Sequence, residues 1–146
     1  MLISITTKNL HKRFGLKKSD LKKSLNIAAL EIKYEEDAVI NILFSNDRLI
    51  SEYHQKYFDD PTATDVITFP MEEFDPGTKQ FILGDLIISW ETAERESQKR
   101  NISTQNELTL YAIHGFLHLN GYDDQKIKDR KQMTQLQNKI LKKTHQ

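Results

Sequence analysis

The run His114-Gly115-Phe116-Leu117-His118-Leu119-Asn120-Gly121-Tyr122-Asp123-Asp124 ends the most apolar helix that this sequence predicts. In a helix over residues 104–119, His114 and His118 stand at i and i+4, so their imidazoles share one face and can bind one ion. Gly121 follows the last periodic residue and predicts a left-handed turn that brings the chain back over that face. Asp124 then becomes the candidate third ligand.

Three protein ligands leave a fourth position for water or substrate, which is typical of catalytic zinc sites and not of structural ones. Two plainer interpretations stay open. A histidine pair at this spacing often binds no metal, and Asp124 can instead cap the following helix, a role that Asp123 could also fill. The position of the pair on an apolar helix, in a chain with only 38% hydrophobic residues, favours the metal site.

Composition restricts the class of protein. A chain of 146 residues suits one domain, 1–146, with one core. The chain has no cysteine, so any metal must be held by histidine and carboxylate, and this fits a reducing compartment. No signal peptide is recognisable, and no segment approaches the roughly 20 apolar residues of a membrane span. We therefore expect a cytoplasmic protein without membrane association.

The formal net charge is zero, but the charges are unevenly distributed. Basic residues predominate in 8–33 and 126–143, and most acidic residues lie between these segments. Such asymmetry can mark a surface that binds phosphates. Solvated lysine-rich helix faces would give the same pattern, so both interpretations stay open.

Hydrophobic patterning predicts the secondary structure. Strands are expected at 2–6, 38–44, 64–70 and 81–90, with the last two as antiparallel neighbours. Helices are expected at 10–32, after Ser45 or Asn46, at 91–100 with Ser89 as its cap, at 104–119 and at 125–143. Gly15 should mark a start or bend in the first helix, and turn-forming residues predict a loop over 71–80.

The helix over 104–119 should be central because apolar residues surround its axis. Thr104 and Glu107 have the spacing of a capping box at its start. Glu107, Tyr111, His114 and His118 follow one another at spacings of four, three and four. This polar seam on a buried helix is expected to face a cleft.

Two further polar residues lie within apolar patterns. In the helix after Asn46 the predicted inward positions are Leu49, Ile50, Tyr53 and Tyr57, so His54 is expected at the surface. Asp85 interrupts the apolar run 81–90, which favours a solvent-facing place at a sheet edge over a place beside the metal site.

Three motifs carry a resemblance to a known family: His114 to Asp123, the segment Thr64-Asp65-Val66-Ile67-Thr68-Phe69-Pro70, and the segment Leu83-Gly84-Asp85-Leu86-Ile87-Ile88-Ser89. In this order and spacing they resemble the YbeY family of bacterial rRNA-maturation endoribonucleases, and the match extends from Val39 onward. The resemblance implies a single α+β domain in which a mixed four-stranded sheet packs against about five helices. It also implies a zinc-hydrolase-like histidine pair on the central helix.

The function implied by the resemblance is metal-dependent, single-strand-specific endoribonuclease activity. The family acts in maturation of the 16S rRNA 3′ end and in ribosome quality control. The expected partners are therefore single-stranded RNA, rRNA and the small ribosomal subunit. The expected cofactor is zinc (Zn2+), one ion per chain, bound by His114, His118 and Asp124.

The sequence departs from the family at two places. The third ligand of the family is a histidine in a Gly-Tyr-Asp-His ending, and Asp124 occupies that position here. Aspartate also binds zinc, although a harder oxygen ligand can shift the preference to another divalent ion. The family commonly has arginine where this chain has Phe58, so a cationic phosphate contact is missing or is supplied by Lys56.

A metal-dependent mechanism follows as a hypothesis. A divalent ion lowers the pKa of a bound water or polarises a phosphoryl oxygen, and either effect serves phosphodiester hydrolysis. Asp85 or Asp65 could orient that water or an imidazole, although an ordinary structural hydrogen bond is the simpler role for each. Tyr122 and Phe58 are candidates for stacking on unpaired bases.

Two other functions fit parts of the pattern. A metallopeptidase of the His-Glu-x-x-His type has a similar histidine pair, but Gly115 stands where its general base would be. A non-catalytic ribosome-assembly factor could keep the fold and bind RNA without cleaving it. Metal analysis of the purified protein separates the enzyme from this second alternative.

Overall fold

Four strands and five α-helices make up residues 2–145, the part of the chain that the computed structural model describes. The first and last residues of the predicted domain 1–146 lie outside the described residues. The strands are β1 (Ile3–Lys8), β2 (Ala38–Ser45), β3 (Val66–Phe74) and β4 (Phe81–Ser89). The helices are α1 (Lys18–Glu31), α2 (Asp47–Phe58), α3 (Trp90–Arg100), α4 (Thr104–Leu119) and α5 (Ile127–Thr144).

The strands form one mixed sheet in the order β1-β2-β4-β3. Strand β2 pairs in parallel with both β1 and β4, whereas β3 runs antiparallel to β4 at the sheet edge. Both the antiparallel neighbours and the α+β class with a four-stranded mixed sheet are confirmed. Strands β2 and β4 are largely buried, which agrees with their mostly apolar sequences.

Helix α4 is central, as its sequence predicts. Most of its apolar residues belong to the main core, where Leu108, Ile113 and Phe116 are completely buried. Helices α1, α3 and α5 pack against it, and it lies on β3 and β4. A smaller core of Ile50, Ile67 and Ile87 fixes α2 against the sheet. The two candidate histidine ligands are therefore carried by the most deeply embedded helix.

Glycine is required where α4 meets the sheet. A Cβ atom added at Gly84 would lie 2.5 Å from Leu119 Cδ2 and 2.7 Å from the backbone oxygen of Phe69. A Cβ atom at Gly115 would lie 2.7 Å from Leu86 Cδ2. The end of α4 that carries the histidine pair can approach β4 closely only because both positions lack a side chain.

We expect Gly84→Ala to lower the free energy of unfolding by about 1–3 kcal/mol, the usual cost of overpacking a core. The added methyl group would have to displace backbone as well as the side chain of Leu119. Urea unfolding of both proteins measures the difference. An unchanged unfolding midpoint would show that α4 and β4 are less tightly packed than these distances indicate.

The predicted loop over 71–80 is wrong in its first part, because β3 continues to Phe74. Pro70 does not end the strand because β3 is an edge strand, where proline is tolerated. The register shifts between Pro70 and Glu73, and Glu72 has a φ of 47° in this irregular segment. The turn is confined to the tip of the β3–β4 hairpin, where the Asp75 carboxylate accepts a hydrogen bond from Thr78 N at 2.7 Å.

The predicted capping box of α4 is also wrong. The cap is Ser103, whose hydroxyl accepts a hydrogen bond from Asn106 N at 3.0 Å. Glu107 does not reach back to the backbone, because its carboxylate is fully buried and paired with Arg100 Nη1 at 2.9 and 3.0 Å. An ion pair therefore replaces the cap that the spacing suggested.

The ends of two other helices differ from the sequence predictions. The predicted helix over 10–32 is a short 3₁₀ turn, Lys12–Phe14, followed by α1. Gly15, with a φ of 68°, separates the two, which confirms that it marks the break. In α2 the predicted inward position Tyr57 is 53% exposed.

No helix within residues 2–145 has the length and apolar character needed to cross a membrane.

Candidate metal centre

His114, His118 and Asp124 converge as the sequence predicts. Their ligand atoms all lie within 4.8 Å of one another. The two imidazole Nε2 atoms are 2.9 Å apart, and Asp124 Oδ2 lies 3.4 Å from Nε2 of His114 and 3.6 Å from Nε2 of His118. The side chains are 22%, 24% and 38% exposed, so the group is accessible from one side.

The turn after α4 brings Asp124 to this position. Gly121 has a φ of 89°, and its N–H donates to His118 O at 3.0 Å. Tyr122 N donates to Leu117 O at 3.1 Å, which completes the Schellman pattern of a helix end. The left-handed residue reverses the chain, so the predicted role of Gly121 is confirmed.

The backbone determines the tautomer of His118. Its Nδ1 lies 2.9 Å from the carbonyl oxygen of Tyr122, and because a carbonyl can only accept, Nδ1 must carry the proton. In the neutral ring Nε2 then carries a lone pair, directed at His114 and Asp124. Metal-binding histidines are commonly oriented in this way.

Gln137 of α5 orients the ring of His114 as the carbonyl of Tyr122 orients that of His118. Its Oε1 contacts His114 Nδ1, which leaves Nε2 of His114 as the second atom able to bind a cation. Gln137 was not predicted as a site residue, although it follows Met133 by four residues and so lies on the buried stripe of α5. A polar residue on that stripe was the available signal.

The two aspartates after Tyr122 have different roles. The Asp123 carboxylate accepts hydrogen bonds from Asp124 N at 2.7 Å and Gln125 N at 3.1 Å, so it stabilises the turn before α5. The Asp124 carboxylate is directed at the imidazoles instead. Of the two roles left open for Asp124, the geometry supports the ligand.

The donor set fits a divalent cation. Ligands bound tetrahedrally to zinc at about 2.1 Å are roughly 3.4 Å apart. The carboxylate oxygen lies 3.4 and 3.6 Å from the two imidazole nitrogens, and the nitrogens are somewhat closer together, at 2.9 Å. Two neutral imidazoles and one carboxylate also match the ligand chemistry of zinc.

A cleft of about 450 Å³ opens beside the three side chains. Its other lining residues are His54, Phe58, Thr64, Asp65, Val66, Ile67, Thr68, Asp123 and Gln125. Within residues 2–145 no lysine or arginine is among its lining residues, but Arg130 lies at its border, where it donates to Asp124 O at 3.1 Å and to Gln125 O at 3.4 Å. Lys139 and Lys143 are instead paired with Glu31, and Lys56 lies over the ring of Tyr57.

The prediction that Asp85 lies at a sheet edge is wrong, because β4 lies between β2 and β3. Asp85 accepts a hydrogen bond from Asn41 Nδ2 at 2.8 Å and lines another cavity beside α2. Leu86, the next residue, contacts Gly115 of α4, so the alternation of a strand directs Asp85 to the opposite sheet face. Asp85 therefore has no contact that would support a role as partner of the metal ligands.

Three other predicted residues lie near the cleft. Asp65 lines it, with its carboxylate accepting from Val66 N at 2.8 Å. Phe58 lines it as well and is 52% exposed, which suits stacking. The ring of Tyr122 packs against the main core, so Tyr122 is poorly placed for stacking.

His54 is not the surface residue that the sequence predicted. It is half-buried and lines the metal cleft. The reason is visible in the helix period, since His54 follows the fully buried Ile50 by four residues and shares its face. This spacing was the signal that the sequence analysis missed.

The N-terminal half of the polar seam, Glu107 and Tyr111, has a structural role. The hydroxyl of Tyr111 donates to Glu107 Oε2 at 3.1 Å. Burial, reinforced by the nearby Glu107 carboxylate, raises the pKa of Tyr111 far above its usual value, so this phenol stays protonated near neutrality. The seam therefore comprises an ion-pair network at one end and the metal-site candidates at the other.

Comparison with known proteins agrees with this geometry. Residues 4–145 match the family model described as Endoribonuclease YbeY. The chain belongs to the YbeY family. The family membership predicted from the three sequence motifs is thereby confirmed.

Curated relatives named Endoribonuclease YbeY are similar over most of the chain. The Staphylococcus carnosus protein is 37% identical over 80% of this chain and 79% of its own length. The Bacillus thuringiensis protein is 37% identical over 83% and 82%, respectively. A solution structure of a Thermotoga maritima protein has a TM-score of 0.64 and 28% identity, covering 97% of this chain and 88% of its own.

Gly115 distinguishes this YbeY site from that of a zinc peptidase. A peptidase of the His-Glu-x-x-His type needs its glutamate at this position. Here glycine occupies that position and faces Leu86 of β4, with an added Cβ atom 2.7 Å from Leu86 Cδ2. The chain therefore lacks the general base of that class, so the peptidase alternative is not favoured.

Proposed function

We propose that this protein is a metal-dependent endoribonuclease that cleaves single-stranded RNA. The observation that carries the proposal is the convergence of His114, His118 and Asp124 beside an open cleft. The curated relatives are named as endoribonucleases. We further propose cytoplasmic action in 16S rRNA 3′-end maturation and ribosome quality control on the small ribosomal subunit, with residues 1–146 as one functional domain.

The proposed cofactor is one zinc ion per chain, held by His114, His118 and Asp124, with another divalent ion as the alternative because of the carboxylate. Such an ion supplies an activated water and stabilises charge on a phosphoryl oxygen. The chain contributes the orientation of the ligands. Tyr122 O and Gln137 Oε1 hold the two Nδ1 atoms, so both Nε2 atoms are available before any ion binds.

Single-strand specificity has a structural rationale in the cleft wall. Phe58 exposes about half of its surface beside the site, and an aromatic ring can stack only on a base that is not already paired and stacked in a duplex. The exposed ring of Phe58 therefore favours RNA whose bases are unpaired.

The direct test combines metal analysis with a cleavage assay. Protein purified without chelator should contain close to one zinc ion per chain and should cleave a single-stranded RNA faster than the same sequence in a duplex. Chelation should stop cleavage, and added zinc should restore it. Metal-free, folded protein that binds RNA or small subunits without cleaving them would support the non-catalytic assembly factor instead.

Gln137→Leu is expected to weaken metal binding by about 10- to 100-fold, the usual effect of removing a hydrogen-bond partner of a metal-binding histidine. Leucine fits the buried stripe but cannot accept the His114 Nδ1 proton. Zinc titration of the apoprotein measures the change. Gln135→Leu is the matched control because Gln135 is exposed on the same helix, and an equal loss in both variants would exclude a specific role for Gln137.

A further inference from the structure

His54 is a third imidazole in the metal cleft that is not part of the ligand group. It lies on α2 and lines the cleft with His114, His118 and Asp124. The metal-binding group contains only those three side chains among residues 2–145, so the His54 nitrogens lie outside its 4.8 Å limit. His54 therefore faces the space that a substrate would occupy without competing for the ion.

The orientation of the His54 ring is determined by the loop after α2. Its Nδ1 lies 2.9 Å from Thr62 O, and since a carbonyl only accepts, Nδ1 is the donor. Thr62 is itself held by Asp60, which accepts from Thr62 N at 2.9 Å and from its hydroxyl at 2.7 Å. With Nδ1 used in this way, Nε2 is the atom that can exchange a proton with a substrate.

Among the ionisable groups that line the cleft, His54 is the one best suited to donate a proton. Its other ionisable lining groups are three carboxylates, Asp65, Asp123 and Asp124, and the two ligand histidines. Within residues 2–145 no lysine or arginine lines the cleft. Histidine is the side chain best suited to donate a proton near neutral pH, whereas carboxylates are normally ionised there.

We propose that His54 is the general acid that protonates the departing ribose oxygen during RNA cleavage. This inference rests on the proposed endoribonuclease function. As water attacks phosphorus, a P–O bond forms and the bond to the departing oxygen breaks with its electron pair. The imidazolium transfers its Nε2 proton to that oxygen and becomes neutral, and the attacking water loses its proton to solvent.

We expect His54→Ala to reduce kcat on natural RNA by about 10²- to 10⁴-fold, the range of general acid–base catalysis. Zinc affinity should be unchanged because His54 is not a ligand. His54→Asn separates chemistry from structure, since its amide nitrogen can replace Nδ1 as donor to Thr62 O but cannot act as an acid. The proposal predicts that both variants are impaired alike.

A substrate with a better leaving group tests the chemical role directly. End analysis of the wild-type products identifies the departing oxygen, and sulfur is then placed at that position. A thiolate leaves without protonation because thiols are far stronger acids than alcohols. Both variants should cleave this substrate within about 10-fold of the wild-type rate, because the step that needs His54 has been bypassed.

The outcomes are separable. The general-acid role would be overturned if the variants were impaired equally on the oxygen and sulfur substrates. It would also be overturned if His54→Asn had wild-type activity, because that would show that only the contact with Thr62 matters. If wild-type protein cleaves RNA, His114→Ala does not, and His54→Ala does so normally, this inference alone fails. Absence of cleavage by zinc-loaded wild-type protein would overturn the proposed function and this inference with it.

Discussion

Substitution His114→Ala is expected to abolish stoichiometric metal binding and RNA cleavage together. It removes one of two nitrogens that are preoriented towards a common point and leaves His118 with a single carboxylate partner. Metal ions supply several kcal/mol of transition-state stabilisation, and each 1.4 kcal/mol is a factor of ten in rate. Cleavage should therefore fall by at least about 10³-fold, measured with the same RNA under saturating zinc.

The fold should survive this change, because His114 is partly exposed and its neighbours Ile113 and Phe116 supply the packing of α4. Circular dichroism and urea unfolding check this point. His11→Ala is the matched control, since His11 is exposed and contacts Phe14 outside the cleft. Cleavage by metal-free His114→Ala protein at the wild-type rate would eliminate the metal mechanism.

Much of the fold was predictable because local pattern and tertiary burial agree. Helix α4 carries apolar residues around most of its axis and is central, and β2 is largely apolar and lies inside the sheet. Predictions failed where residues outside the local motif decide the outcome. Glu107 has the spacing of a capping residue, but its carboxylate pairs with Arg100 of the preceding helix. Pro70 predicts the end of a strand, but β3 lies at the sheet edge, where a strand can continue past a proline.

The candidate site shows the same division. The convergence of His114, His118 and Asp124 was predictable because it depends on one helix and the turn after it. Gln137 and His54 come from α5 and α2. The helix period places each on the buried side of its helix, but which side chains that face meets depends on helix packing. Asp85 is a different error: its sequence favoured a solvent-facing sheet edge, but β4 lies inside the sheet and Asp85 accepts a hydrogen bond from Asn41 of β2.

Asp124→Asn is expected to weaken zinc binding by more than about 100-fold and to reduce cleavage in parallel. The substitution removes the anionic oxygen that lies 3.4 and 3.6 Å from the two imidazole nitrogens, while the size of the side chain hardly changes. A neutral amide oxygen is a poorer ligand for a divalent ion, and losing a direct ligand should exceed the 10- to 100-fold effect of losing an outer partner. Zinc titration of the apoprotein gives the affinity.

Two neighbouring substitutions make this result specific. Asp123→Asn removes the same charge one residue earlier, but its amide oxygen can still accept from Asp124 N and Gln125 N, so zinc affinity should change little. Asp124→His replaces the hard oxygen ligand by a nitrogen, and we expect zinc to be retained while binding of manganese weakens. If Asp124→Asn bound zinc as tightly as wild type while Asp123→Asn did not, the assignment of the two aspartates would be reversed. The third ligand would then have to come from the residue that stabilises the turn.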